Sequence, residues 1–357
     1  MDTYGSGSHK QKKEKYQNRT YGGRFGKIVR IVLFSCAGFL ILLLVAVSAV
    51  FGEERMKETE EGYLLGAVGN MEDALGEISS EAVDSTGGTP AGQQEEESLF
   101  VPILEADSTE LTITWEGLSE EDLSETEVLK TEIQSAIDAF SAEGYSTGFL
   151  LYDINTEGGI SYRADESYYS ASTIKGPYVA WLVQAYPQTA DRLYDTIENT
   201  IAWSSNDDYE MLISTYGSSE FDSWIAGLGC KNIALSGEWY PDINARDFAV
   251  LWNFVYDSFL SGSVPDYIRD LYTGTLESAI YETLSPWYTV YSKTGWIGEG
   301  LGTYYNVQND AGIVMKGDDP YVIVVLSDAY GRTDLLDHLV AVLDSAHTSL
   351  LNIESTE

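Results

Sequence analysis

An uncharged apolar stretch near the N-terminus divides this chain into two unlike parts. Residues 31–51 have the sequence IVLFSCAGFLILLLVAVSAVF, without a single charged side chain. As an α-helix that rises about 1.5 Å per residue, this stretch spans about 31 Å, the thickness of the hydrocarbon core of a bilayer. It is longer than the apolar core of a cleaved signal peptide, and a long basic leader precedes it. The sequence therefore predicts one retained transmembrane helix.

The charges on the two sides of this stretch differ in sign. Residues 1–30 carry eight basic side chains against Asp2 and Glu14, whereas the whole chain of 357 residues has a net charge of -37. The positive-inside rule therefore predicts a cytoplasmic N-terminal tail and an extracytoplasmic C-terminal part. Because the C-terminal part is strongly acidic, it would repel phosphate backbones, and nucleic acid is not expected as a partner.

The extracytoplasmic part separates into a linker and a domain. Residues 52–123 are acidic and include the low-complexity stretch STGGTP, which predicts an extended stalk. Residues 124–357 show the apolar periodicity of a folded domain, and about 230 residues can bury a core without disulfides. Of the two cysteines, Cys36 lies in the predicted membrane helix and Cys230 far outside it, so an intrachain disulfide is not expected.

The order of the elements predicted in the C-terminal domain indicates an α/β fold. A helix is predicted over 125–142, and two strands at 149–152 and 160–162 flank a turn. Several helices follow, and a last helix is predicted over 334–350. Three further strands are predicted at 289–294, 312–315 and 321–327. This order predicts one antiparallel five-stranded sheet built from both chain ends, flanked by helices and with a helical insert between the two groups of strands.

A serine and a lysine three residues apart carry the first chemical signal. Ser172 and Lys175, in YYSASTIKGPYVAWL, fall at the predicted start of a helix, where this spacing places both side chains on one face. A lysine that is partly desolvated there can lose its proton near neutral pH and activate the serine hydroxyl. Taken alone, the pattern is also typical of a capping serine beside a surface lysine.

Two further motifs follow in order along the chain. Ser204-Ser205-Asn206 begins another predicted helix, and Lys293-Thr294-Gly295 lies in a predicted strand. With these motifs the sequence resembles the class A β-lactamases and their D-alanyl-D-alanine peptidase relatives, whose patterns are S-x-x-K, S-x-N and K-[TS]-G. The resemblance extends over about residues 124–351. It implies the β-lactamase/transpeptidase fold with a reduced helical subdomain, in the cell envelope of a bacterium.

The resemblance implies a catalytic role for four motif residues. Ser172 would be the nucleophile that attacks an amide or lactam carbonyl and becomes acylated. Lys175 would be its base or proton relay, and Ser204 would pass the proton to the departing nitrogen. Lys293 would supply positive charge for the carboxylate of the substrate.

The resemblance also implies a set of substrate-binding residues. Asn206 would hydrogen-bond the amide of the substrate and orient the catalytic lysine, and Thr294 would donate to the substrate's carboxylate. Gly295 belongs to the same K-T-G motif. The backbone N–H of Trp296, with that of the nucleophile, would form the oxyanion hole, in which one donor contributes about 3 to 4 kcal/mol.

One part of the class A pattern is missing from this chain. Those enzymes carry an E-x-x-L-N motif whose glutamate activates the deacylating water, whereas residues 231–243 have the sequence KNIALSGEWYPDI. Glu238 is the only carboxylic acid well placed to substitute, and a solvated loop glutamate is the alternative. The resemblance implies hydrolysis of a β-lactam, whereas the missing glutamate favours two alternatives: a peptidase that acts on D-Ala-terminated peptidoglycan peptides and deacylates slowly, and a binder or sensor without turnover.

Other catalytic patterns fit the sequence less well. Residues 144–148 match G-x-S-x-G, but the predicted helix precedes and the strand follows, the reverse of a nucleophile elbow. A triad would need a histidine, and the outer domain has only His338 and His347, both expected to be exposed on the last helix. With so few histidines and one outer cysteine, neither a zinc site nor another metal or cofactor is expected.

Overall fold

The computed structural model describes residues 101–118, 122–298 and 305–354. All of them belong to one compact unit, Glu95–Glu357.

Three predictions concern the N-terminal part of the chain. The cytoplasmic tail predicted over 1–30, the membrane helix predicted over 31–51 and the first part of the predicted stalk, 52–100, lie outside the described residues. Where the structure is described, none of the helices combines the length and the hydropathy that crossing a bilayer requires.

The centre of the domain is an antiparallel sheet of six strands that come from both ends of the domain's sequence. From one edge to the other, the strands are β1 (Thr112–Thr114), β3 (Gly159–Tyr162), β2 (Thr147–Asp153), β8 (Tyr321–Ser327), β7 (Val307–Met315) and β6 (Thr289–Ile297). A separate two-stranded pair consists of β4 (Tyr168–Tyr169) and β5 (Asp242–Ile243). All seven residues of β8 are buried, which fits a continuous apolar run covered on both faces.

The sheet predicted from both chain ends is confirmed, with one strand more than the five expected. β1 lies within residues 52–123, which the sequence assigns to the stalk, and it pairs with β3 as an edge strand. Trp115, directly after it, is buried in the core. Arg246 holds this segment, because its guanidinium donates to three backbone carbonyls of residues 103–106 and to Asp165. A three-residue strand has too little periodicity to be recognised in the sequence.

Ten helices surround the sheet within the described residues, together with short 3-10 turns at Ala171–Ile174 and Asp270–Tyr272. They are α1 (Asp122–Ala142), α2 (Lys175–Ala185), α3 (Thr189–Arg192), α4 (Tyr194–Ile201), α5 (Asn206–Tyr216), α6 (Ser219–Gly227), α7 (Ala245–Leu260), α8 (Asp266–Arg269), α9 (Ala279–Leu284) and α10 (Thr333–Glu354). Polar side chains start several of them: Ser205 accepts from the N–H of Asp208, and Asn244 accepts from that of Asp247.

Alternate residues of the central strands point into two separate cores. In β2, Phe149 and Leu151 pack with α1 and α10, whereas Leu150 packs with α2 and α7 on the opposite face. This alternation is the period of two that a strand imposes on its side chains. The three sequence motifs lie on the α2 side of the sheet.

The expectation that both outer histidines are exposed is wrong for His347. Its side chain is fully buried, and Nε2 lies 2.7 Å from Oδ2 of Asp153 at the end of β2. His347 falls three and four residues from the buried Leu350 and Leu343 on α10, so helical periodicity places it on the apolar face. His338 is exposed, as expected.

Candidate active site

Ser172 lies in a single 3-10 turn, Ala171–Ile174, and the regular helix α2 begins only at Lys175. The N–H of Lys175 donates to the C=O of Ser172, and side chains three residues apart eclipse in this geometry. Ala171 has a φ of +47°, which costs a residue with a Cβ on the order of 1–3 kcal/mol. The strained turn thus directs the serine and the lysine to the same side.

The side-chain nitrogen of Lys175 lies in a buried, polar environment. Its Nζ donates to Oδ1 of Asn206 at 2.6 Å and to the C=O of Ser204 at 2.9 Å, and the side chain is not exposed to solvent. Burial, with a smaller contribution from the positive charge of Lys293, lowers the pKa of Lys175 to about 6, although Asp208 opposes the shift. At pH 7 this lysine is therefore largely neutral and can accept a proton.

Ser204 lies between the two motif lysines. It precedes α5 with a φ of +56°, and its backbone carbonyl is held by Lys175. Nζ of Lys293 donates to the Ser204 hydroxyl at 3.0 Å. Lys293 therefore contacts the hydroxyl of Ser204, and Lys175 contacts its backbone carbonyl. This position between two lysines suits a group that relays a proton.

Lys293 in β6 is fully buried, and its Nζ also donates to the C=O of Thr294 at 2.8 Å. Burial lowers the pKa of Lys293 to about 7, while the charge of Asp310 acts in the opposite direction. Asp310 is the register partner of Thr294, so its side chain lies on the other face of the sheet from Lys293. Burial raises the pKa of Asp310 to about 7 in spite of hydrogen bonds from Ser278 and two backbone amides.

The hydroxyl of Thr294 does not join this cluster. Thr294 is buried, and Oγ1 donates to the C=O of Leu276 at 2.9 Å. Because neighbouring residues of a strand point to opposite faces, Lys293 and Thr294 cannot both point toward Ser204. The hydrogen bond from Thr294 to a substrate stays a prediction, and in this arrangement its hydroxyl is bonded to the backbone of Leu276.

Gly295 lets β6 pass directly against the nucleophile turn. A Cβ at this position would lie 2.5 Å from the backbone nitrogen of Ser172 and 2.7 Å from the C=O of Ser170, and it would also overlap the nitrogen of Thr173. The strand could not remain there with any side chain at residue 295. The next residue, Trp296, is half-buried, and its backbone follows this close approach along the strand.

An open cavity of about 810 Å³ has the loop 231–242 as its main wall, and Tyr169 and Tyr305 complete its lining. Glu238 is exposed in this wall, and within the described residues no hydrogen bond joins its side chain to the cluster. Tyr240 of the same loop makes the contact instead, since its hydroxyl donates to Oδ1 of Asn206 at 3.0 Å. Tyr240 is not among the site residues that the sequence predicts. Its position in the segment that lacks E-x-x-L-N is the one signal that could have identified it.

A family model described as "Beta-lactamase enzyme family" matches residues 185–341. The matched segment contains Ser204, Asn206 and Lys293 and begins after Ser172 and Lys175. A search of curated proteins finds no match.

Solved structures show the same fold at low sequence identity. The TLA-1 extended-spectrum β-lactamase is 16% identical, with a TM-score of 0.52 over 63% of this chain and 99% of that one. A PBP-A variant in an acyl-enzyme complex with penicillin G is 17% identical, with a TM-score of 0.50 over 62% of this chain and 97% of that one. The described domain has the fold shared by serine β-lactamases and penicillin-binding proteins.

Proposed function

We propose that this chain is a serine hydrolase that forms an acyl-enzyme at Ser172 and hydrolyses β-lactams. The observation that carries the proposal is the continuous set of contacts from Asn206 through Lys175 and Ser204 to Lys293, beside the strained turn of the serine. Two buried lysines with lowered pKa values meet at one serine, and this arrangement supplies both a base and a relay for acyl transfer.

Each residue then has a defined step. Neutral Lys175 takes the proton of the Ser172 hydroxyl while Oγ forms a bond to the carbonyl carbon of the lactam. The developing oxyanion is bound by the backbone N–H groups of Ser172 and Trp296. When the C–N bond breaks, Ser204 gives its proton to the nitrogen and takes one from Lys175, which thereby returns to its neutral form. The charge of Lys293 attracts the carboxylate of the substrate.

A D-alanyl-D-alanine peptidase that deacylates slowly is the second candidate, and one observation favours it. Within the described residues, the exposed Glu238 carboxylate makes no hydrogen bond to the cluster, and Tyr240 takes that contact. Because the neutral phenol of Tyr240 cannot accept a proton from water, deacylation is expected to be slow. Under this alternative the acyl donor is a peptidoglycan peptide that ends in D-alanine, and a binder or sensor without turnover is its limiting case.

The proposal includes the location of the domain. Residues 31–51 would anchor the chain in a bacterial cell membrane, with residues 1–30 in the cytoplasm and the domain outside. The length of the apolar stretch and the basic charge on its N-terminal side support this topology. It places the domain where both β-lactams and peptidoglycan are present.

A labelling time course tests the function. The full-length chain and Ser172→Ala, purified in detergent, are mixed with a fluorescent penicillin and, separately, with a chromogenic β-lactam. Label that appears on the wild type and decays with chromogenic turnover supports hydrolysis, and Glu238→Gln then tests the loop glutamate. Stable label without turnover supports the peptidase alternative. Absence of label on folded wild type, or equal label on Ser172→Ala, refutes both.

The rate of acylation is expected to depend on pH with a narrow maximum between about pH 6 and pH 7. Below pH 6 Lys175 becomes protonated and cannot accept the proton of Ser172. Above pH 7 Lys293 loses the charge that attracts the substrate's carboxylate. The second-order rate constant of labelling between pH 5 and pH 9 measures both limbs.

Lys293→Arg is the control for the alkaline limb, because an arginine stays charged throughout this range. The variant is expected to flatten that limb and to retain the acidic one. A wild-type rate that stays constant from pH 7 to pH 9 would contradict the role of Lys293.

A further inference from the structure

We propose that Tyr240 is a positioning residue for acylation, which fixes Asn206 against Lys175 and shields Lys175 from water. The inference rests on the proposed function, since it concerns acyl transfer at the same cluster. It assigns to the loop 231–242 a role in the first half of the reaction rather than in deacylation.

The first support is the shared acceptor. Oδ1 of Asn206 receives a hydrogen bond from the Tyr240 hydroxyl at 3.0 Å and another from Nζ of Lys175 at 2.6 Å. Two donors on one oxygen determine which way the amide faces. The NH₂ group of Asn206 is then turned away from the lysine and can donate to an acyl donor. Without the tyrosine hydroxyl, one of the two bonds that hold this orientation is lost.

The second support is the packing around the ammonium group. The rings of Tyr209 and Tyr240 lie 5.5 Å and 5.7 Å from Nζ of Lys175, and the two rings are 5.5 Å apart. The Tyr209 hydroxyl donates to the backbone C=O of Trp239 at 3.1 Å, which ties the loop to α5 beside Tyr240. The rings occupy space that water would otherwise fill, and this desolvation is the main cause of the lowered pKa of Lys175.

The third support is the protonation of the phenol itself. Burial, together with the charges of Tyr169, Glu210 and Asp207, raises the pKa of Tyr240 well above its ordinary value. Tyr240 therefore remains a proton donor at every pH at which the cluster works. It cannot take a proton from Ser172 or from water, so its effect on the reaction acts through Asn206 and Lys175.

Two variants separate the hydroxyl from the ring, with labelling by a fluorescent penicillin measured between pH 5 and pH 9 on the full-length chain. Tyr240→Phe keeps the ring and is expected to lower the maximal rate of acylation about tenfold, without moving the acidic midpoint. Tyr240→Leu also admits water to Lys175 and is expected to move the acidic midpoint upward. The other charged groups that act on Lys175, namely Lys293 and Asp208, are unchanged in both variants.

Tyr186→Phe is the matched control. It also removes one tyrosine hydroxyl, which bonds Glu220 on an exposed surface, and it is expected to leave the rate and the midpoint unchanged. If both Tyr240 variants behave like Tyr186→Phe, the proposal is overturned.

A readout without substrate distinguishes this proposal from the proposed function. The titration of Lys175 is followed by NMR on protein that carries ¹³C at the lysine Cε, with the signal assigned by its loss in Lys175→Met. An upward shift of the midpoint in Tyr240→Leu, and none in Tyr186→Phe, supports the shielding by Tyr240 even if no acyl-enzyme forms. An unchanged midpoint in Tyr240→Leu overturns the proposal even if the wild type is acylated.

Discussion

Lys175→Met is expected to lower the rate of Ser172 acylation by about 10³-fold at pH 7, with little change in thermal stability. General bases contribute about 10² to 10⁴-fold to such steps, and methionine fills a similar volume without a basic group. The variant loses two hydrogen bonds, but it also removes an amine whose burial is costly, and these effects oppose each other. Labelling with a fluorescent penicillin and thermal unfolding followed by near-UV circular dichroism measure the two quantities.

Lys316→Met provides a matched control with the opposite pattern. Lys316 is also largely buried, but it pairs with Asp344 of α10 at 2.7 Å, away from the cluster. Its loss leaves that carboxylate without its cation, so we expect lower stability and a normal rate of acylation. Acylation of Lys175→Met within tenfold of the wild-type rate would contradict the assignment of the base.

Asp153→Ala is expected to lower the free energy of unfolding by about 3 to 5 kcal/mol. Asp153 is fully buried, and Oδ2 contacts Nε2 of His347 while Oδ1 accepts from the N–H groups of Asn155 and Thr156 and from the Thr156 hydroxyl. The substitution leaves all of these groups in the core or the turn without their acceptor. Because the Asp153–His347 pair joins β2 to α10, its loss is expected to weaken the packing of the C-terminal helix on the sheet. Chemical denaturation in urea at pH 7 measures the change.

The contribution of Asp153 also has a predicted pH dependence. Burial acts to raise the pKa of Asp153, but hydrogen bonds from His347 and Thr156 hold this pKa below its ordinary value. The stabilisation is therefore complete above the unfolded-state pKa, near pH 4, and is lost as the pH falls through the lower pKa of the folded state. Asp334→Ala in α10 is the control, since the carboxylate of Asp334 pairs with Arg332 at an exposed position. An equal loss of stability in the two variants would refute this account.

The sequence predicts some elements of the fold and of the site but not others. The strands predicted at 149–152 and 321–327 are continuous apolar runs, and the structure confirms them within β2 and β8, because such a run is visible within one segment. β1 falls within the predicted stalk because three residues carry no period, and its place is set by pairing with β3 and by the contacts of Arg246 with the segment before it. Tyr240 was missed because nothing near it in the sequence indicates that its hydroxyl meets Asn206, 34 residues earlier.

The sequence by itself determined the chemical types and their order: a serine with a lysine three residues on, a second serine with an asparagine, and a lysine on a late strand. It also determined the main strands and their order along the chain, since an apolar run is a local property. The tertiary structure alone decided that Lys175 is buried with a pKa near 6, that the Thr294 hydroxyl points away from the cluster, and that Tyr240 rather than Glu238 contacts it. The physical reason is that burial and hydrogen bonding depend on which distant segments pack together, and the segments around Lys175 come from α2, α5, β6 and the loop 231–242.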